Sequence, residues 1–229
     1  AKHSNFGFTS KCGSSNVVEK LGVSLVKTPQ DAEKNLNKHN ITFIHAPYFH
    51  KSTSYVNPVR KEIGIRTIFN FLGPLSNPAK PTGQVLGVAC PKIAPKMIET
   101  LKNLGCRRAL VVHGLNPIMD EISVCGKTLV YKLENGNIEN FEIHPEDFGF
   151  KLSKLEDISG GMPEENAKII ENIYDGKITD SKLDIVLFNA GALLWVGEKA
   201  DSFEKSMKIA RNLIESGDAY KKLQEIRTK

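Results

Sequence analysis

The sequence predicts an α/β fold with a central, mostly parallel sheet flanked by helices. Three observations carry this. "QVLGVAC" (84–90), "KIAPKMIETLKNLG" (92–105) and "RRALVVHG" (107–114) read as strand, helix and strand, the rhythm of a crossover between parallel strands. "TLVYKLENGNIENFEI" (128–143) sets two strand-like stretches either side of Asn135-Gly136, the dipeptide suited to a hairpin turn. A helical C-terminal part follows over 163–174, 184–197 and 199–227, interrupted by glycines.

The earlier elements come in order. The opening run "KHSNFGFTSKCGSS" (2–15) is polar and irregular. Asn16-Val17-Val18-Glu19 then resembles a capping box at the start of a short helix that Gly22 stops. "ITFIHA" (41–46) reads as a buried strand ended by Pro47. "RTIFNFLGPLSNPAKPTGQ" (66–84) is rich in Gly, Pro and Asn around an apolar centre, which predicts a structured loop after a helix. Residues 1–180 are expected to form the α/β domain. The helices of 181–229 would pack on it, or on a helical domain considered below. There are no repeats and no low-complexity segment.

A chain of 229 residues can bury a sizeable core, and 40% apolar with 25% charged residues is ordinary for a globular protein. The net charge of +5 comes mostly from dispersed lysines, so it favours small anions weakly and nucleic acid more weakly still. The longest apolar run, "IVLFNAGALLWVG" (185–197), is interrupted by Asn189 and is short for a bilayer, which argues against a membrane partner. Cys12, Cys90, Cys106 and Cys125 are widely spaced with no CxxC pair. They read as reduced thiols in a cytoplasmic protein.

Three groups of residues could carry chemistry. In the opening run, lysine, asparagine and hydroxyls beside glycines can cradle a phosphate, and a small polar loop that binds nothing has the same composition. Asp120 and Glu121 lie just past a buried strand, where open α/β sheets bind ligands. Two hard oxygen ligands there suit Mg²⁺, or simply a solvated turn. His50, Arg60, Lys61 and Arg66 gather ahead of Gly73-Pro74. An arginine among them could grip a planar carboxylate, or solvate a surface. His39, His45 and His144 lack metal-ligand spacing and read as structural. No catalytic triad spacing, Walker loop or dinucleotide fingerprint is present. These groups suit an enzyme that handles a phosphorylated small molecule with Mg²⁺.

The order of the runs says more. "KHSNFGFTSKCGSSNVVEKLG", "HAPYFHKS", "VRKEIGIRTIFNFLGPLSNPAKP", "ALVVHG", "DEIS", "PEDFG" and "LFNAGALLW" together resemble the anthranilate phosphoribosyltransferase family over nearly the whole chain. "RTIFNFLGPLSNPA" upstream of "VVHG" and "DEIS" is the most specific part. The resemblance implies displacement of pyrophosphate from phosphoribosyl pyrophosphate by the amino group of anthranilate, a step of tryptophan synthesis. It implies phosphate contacts for Lys2 and Thr9, with Thr9 where the family usually has a serine. His3 and Asn5 would line the route and pocket for anthranilate, with His50 near the aromatic ring. Arg60 would hold its carboxylate, Gly73 would line the same pocket, and Asp120 and Glu121 would hold Mg²⁺. No residue is expected to act as a proton-relaying catalyst.

The chain also departs from the family pattern. Ser4 stands where a glycine is usual and Phe6 where an arginine is usual, and "HGLNPIMDE" is one residue longer than the usual spacing. The glycine-rich pyrophosphate loop Gly-Thr-Gly-Gly-Asp and the Asn-Ile-Ser-Thr segment do not occur. The expectation is therefore the C-terminal two-thirds of a longer enzyme, with a largely missing helical domain that makes a homodimer contact. A same-fold enzyme with another acceptor, and a non-catalytic relative, remain the alternatives.

Overall fold

The computed structural model describes residues 1–5, 12–51, 55–56, 59, 62–64 and 67–228. Its contacts divide into two compact units: Ala1–Lys80 with Gly160–Ile170 and Lys221–Lys229, and Pro81–Ser159 with Glu171–Tyr220. The chain leaves the first unit at 81 and returns to it twice.

The first unit opens with β1 (Lys2–Ser4). Helix α1 (Ser14–Lys20) begins two residues before Asn16, because the Gly13 N–H donates to Asn16 Oδ1 at 3.0 Å. Gly22, at φ 78°, lies just past its end, as the sequence suggested. Helix α2 (Pro29–His39) has Thr28 accepting the Asp31 N–H and Pro29 at its first position. Left-handed Asn40 ends it. The chain then runs into β2 (Phe43–His45) and α3 (Ala46–Phe49), where Pro47 sits in the first turn of a short helix.

Strands β1 and β2 are parallel, with His3 opposite Ile44. Val26, Ala32 and Ile44 form a small core with Phe49 packed on it. Helix α4 (Phe69–Leu75) occupies part of the expected loop and includes Gly73 and Pro74.

The second unit holds a five-stranded sheet: β3 (Gly83–Gly87), β4 (Arg108–Leu115), β5 (Ile118–Met119), β6 (Thr128–Glu134) and β7 (Asn137–Ile143). The path is β3-β4-β6-β7, with β5 on β4. Helices accompany the sheet as expected, but its mostly parallel character is corrected. Among the described residues only β3 and β4 run parallel in it, and β4–β5, β4–β6 and β6–β7 are antiparallel. The reason is connection length. Asn116-Pro117 and Asn135-Gly136 are two-residue links, which can join only antiparallel neighbours. The second link has both residues at positive φ, 50° and 81°, as the sequence suggested.

The parallel pair is bridged by α5 (Ala94–Asn103), which buries Ala94, Met97, Ile98 and Leu101 at helical spacing. Beyond the sheet come α6 (Leu155–Ile158), α7 (Pro163–Tyr174), α8 (Ser181–Val196), α9 (Phe203–Glu215) and α10 (Asp218–Ile226). The expected helix over 199–227 is thus two, parted at Gly217.

Phe188 of α8 is fully buried against Phe148, Phe150 and Phe203, with ring centroids 5.2, 5.1 and 5.6 Å away. Burying one such ring contributes about 3 kcal/mol. Trp195 lies under Arg108 and Lys132, at 4.9 and 5.4 Å from its ring centroid, and Arg108 is paired to Glu134 at 2.8 Å. In the first unit the C-terminal segment returns to α1: the Arg227 Nε–H donates to Leu21 O at 2.7 Å and the Thr228 N–H to Gly22 O at 2.8 Å. Among the described residues no helix is long and apolar enough to cross a membrane.

Candidate functional site

In the first unit, three segments far apart in sequence meet around His3. The parallel register with β2 fixes its backbone, and the Lys2 N–H donates to Thr42 O at 2.9 Å. His3 Nε2 lies 3.0 Å from His50 Nε2, with the rings edge to face at 4.9 Å between centroids. Only one proton can sit between those two nitrogens, so two imidazolium rings would repel. Burial, and then the charge His50 would carry, hold His3 below the usual imidazole range, while a hydrogen bond to the Gly73 backbone opposes this. The Asn77 side chain, just beyond α4, donates to Ala1 O at 3.1 Å and ties this segment to the start of β1.

The structure therefore brings His3, His50 and Gly73 together. Lys2 and Asn5 flank them at the exposed ends of β1. Thr9 and Arg60 lie outside the described residues, as do Phe6, Lys61 and Arg66. Ser4 is accounted for: its Oγ is 2.7 Å from Oγ of Ser15, a fully buried residue, so its hydroxyl bonds to the first turn of α1. The histidines read as structural behave so. His39 pairs with Glu225 at 2.8 Å, His144 faces Glu146 at 3.6 Å, and buried His45 packs against Tyr48.

In the second unit, Asp120 and Glu121 follow β5, next to the end of β4, and both are exposed. The run "HGLNPIMDE" forms the β4–β5 hairpin, in which Ile118 is exposed at 70%. Among the described residues no group of three or more His, Cys, Asp or Glu converges on a point. Two adjacent exposed carboxylates fit Mg²⁺ all the same, because that ion keeps several waters and takes one or two carboxylates beside phosphate oxygens.

Sequence reasoning missed what holds the pair. The Asn189 side chain accepts the Ile122 N–H at 3.0 Å and donates to the Ile122 carbonyl at 2.9 Å. Gly87 at the end of β3 abuts the Asp120 carbonyl so closely that any Cβ there would overlap it. The Ser123 N–H donates to Thr128 Oγ1 at 2.9 Å, with both residues fully buried. The break that Asn189 makes in an apolar run was the available signal.

A family model described as "Glycosyl transferase family, a/b domain" matches residues 1–220. The anthranilate phosphoribosyltransferase of Petrotoga mobilis is 45% identical over 226 residues, covering 99% of this chain and 65% of that protein. The Haloarcula marismortui protein of the same name is 44% identical, with coverages of 99% and 68%. The chain thus spans about two-thirds of the length of these relatives, and slightly less than that of the Petrotoga protein. Among solved structures, anthranilate phosphoribosyltransferase from Thermus thermophilus superposes with a TM-score of 0.90 at 37% identity, covering 98% of this chain and 66% of that one. The Saccharomyces cerevisiae enzyme in complex with PRPP and Mg gives 0.87 at 27% identity, with coverages of 99% and 63%. Fold and relatives agree: the chain belongs to the anthranilate phosphoribosyltransferase family.

Proposed function

We propose that the full-length gene product transfers the 5-phosphoribosyl group of phosphoribosyl pyrophosphate to the amino group of anthranilate. The bond from ribose C1 to the pyrophosphate oxygen breaks, the C1–N bond forms, and the amine loses a proton. The observation that carries this is the convergence of His3, His50 and Gly73, three residues that the family resemblance assigns to anthranilate and that come from segments between residues 3 and 73.

The physical demand is electrostatic. Positive charge develops at C1 while negative charge grows on the departing pyrophosphate, and groups already in place stabilise it without reorganising. Lys2 serves the phosphates as a point charge and Thr9 as a hydroxyl partner. Asp120 and Glu121 would hold Mg²⁺, which supplies charge neutralisation to the leaving group. The relative solved with PRPP and Mg supports that reading. His3 and Asn5 line the path of the aromatic acceptor, and Arg60 grips its carboxylate in two-point fashion. A weakly nucleophilic aromatic amine needs placement more than activation, and a neutral His3 beside His50 suits a wall of that pocket. No proton-relaying dyad is required. The same reading includes a cytoplasmic homodimer.

The test follows the loss of anthranilate fluorescence with phosphoribosyl pyrophosphate and Mg²⁺ in the full-length gene product. Metal-dependent loss is the expected result. A folded protein that leaves anthranilate untouched would overturn the assignment in favour of another acceptor or a non-catalytic relative.

A further inference from the structure

Asn189 sits midway along α8, within "IVLFNAGALLWV", a run in which a polar side chain is costly unless its amide is fully bonded. It is well bonded. Oδ1 accepts the Ile122 N–H at 3.0 Å, and Nδ2 donates to Ile122 O at 2.9 Å and to Ile185 O at 3.0 Å. The side chain thus imitates a neighbouring strand for the single residue that follows Glu121. Ile122 is only 1% exposed, so those backbone groups have no water to turn to.

The same short stretch is fixed from two other directions. Gly87 presses on the Asp120 carbonyl, and Thr128 takes the Ser123 N–H. The result is a rigid backbone from 120 to 123 that carries two exposed carboxylates. A solvated turn has no need of such restraint, whereas a pair that must meet a divalent cation at fixed distance does.

We propose that Asn189 is a positioning residue for the Asp120–Glu121 pair, setting both carboxylates for a divalent cation carrying pyrophosphate while touching neither. This rests on the metal reading above. Asn189→Asp keeps the shape and the acceptor but sets an oxygen against Ile122 O. It should weaken binding of Mn²⁺ in the presence of inorganic pyrophosphate about tenfold, the lower end of the usual loss when an outer partner of a metal ligand is removed. Free Mn²⁺ in the full-length protein is read by electron paramagnetic resonance, so no turnover is needed. Asn189→Ala, which introduces no buried charge and favours the helix, carries the test should the aspartate variant fail to fold.

The KM for anthranilate should stay within about twofold, and adding Asn189→Ala to Asp120→Asn should weaken Mn²⁺ by less than Asn189→Ala does in the wild type, because one of the two carboxylates it sets is already gone. If Asp120→Asn with Glu121→Gln leaves Mn²⁺ binding intact, the metal reading fails and this role fails with it. If that double variant loses Mn²⁺ while folded Asn189 variants bind it as the wild type does, the positioning role alone is overturned.

Discussion

The two units solve the problem of holding a side chain in place by opposite means. In the first, the described strands are three residues long, and one small core cluster is Val26, Ala32 and Ile44. His3 owes its place to backbone pairing and to contacts with His50 and Gly73. In the second, strands of seven and eight residues carry Val111, Val112 and Leu133, all fully buried, and the aromatic group around Phe188 packs α8 and α9 together. His3 is thus tied by hydrogen bonds beside a pair of short strands, and the Asp120–Glu121 backbone by hydrogen bonds set within a larger packed frame. Damage to the frame should cost stability, and damage to the first unit's site should cost substrate affinity.

The largest test of that contrast is Phe188→Ala. It should cost about 3–5 kcal/mol in urea unfolding, against about 2–3 for Ile44→Ala, which removes a smaller side chain. Equal costs would break the comparison. Next, Asp120→Asn with Glu121→Gln should lower kcat/KM for phosphoribosyl pyrophosphate about 100-fold, while the thermal midpoint hardly moves because both side chains are exposed. A fall in stability instead would mean that the carboxylates belong to the frame. Arg60→Ala should raise the KM for anthranilate by roughly tenfold or more and leave that for phosphoribosyl pyrophosphate nearly unchanged, as loss of a charged hydrogen bond requires. Unchanged use of anthranilate would remove Arg60 from the pocket.

The smallest effect is one of pH. His3 is held below its ordinary value of 6.5 in the folded chain. Below 6.5 the unfolded chain takes up this proton while the folded one resists, so stability declines on acidification through that window until folded His3 is protonated too. Above 6.5 neither state binds it and nothing is lost. His45, lowered by burial, acts in the same direction. His3→Gln should therefore reduce the shift of the urea midpoint between about pH 7.5 and pH 5.5. An unaltered shift would place the titration elsewhere.

What could be read from the chain follows how local each cause is. The hairpin at Asn135-Gly136 and the helix over 163–174 are set by turn chemistry and spacing within a few residues, and both stand as read. Strand direction is a property of pairs, so one strand–helix–strand rhythm suggested a parallel sheet that the short links of β5 and β7 turn antiparallel. Helix α4 was hidden by Gly73 and Pro74, which ordinarily mark a loop and here fall in its last turn. The opening run, the Asp120–Glu121 pair and the group around His50 and Arg60 stand out by residue type and place, and only their separate roles come through resemblance. Nothing in the spacing of His3 and His50 foretells their contact, which depends on how the parallel register of β1 and β2 carries the chain back 47 positions later. Asn189 was visible as an oddity, but its partner, Ile122, is 67 positions away.

Trp195 is the one tryptophan of this chain, and it is buried under two cations at the junction of α8 with the sheet. Its emission should be that of an indole shielded from water, dimmed by the charges above it. It should brighten and move to the red when the second unit opens. The chain therefore carries its own optical gauge of one unit and is dark, at that wavelength, to the other.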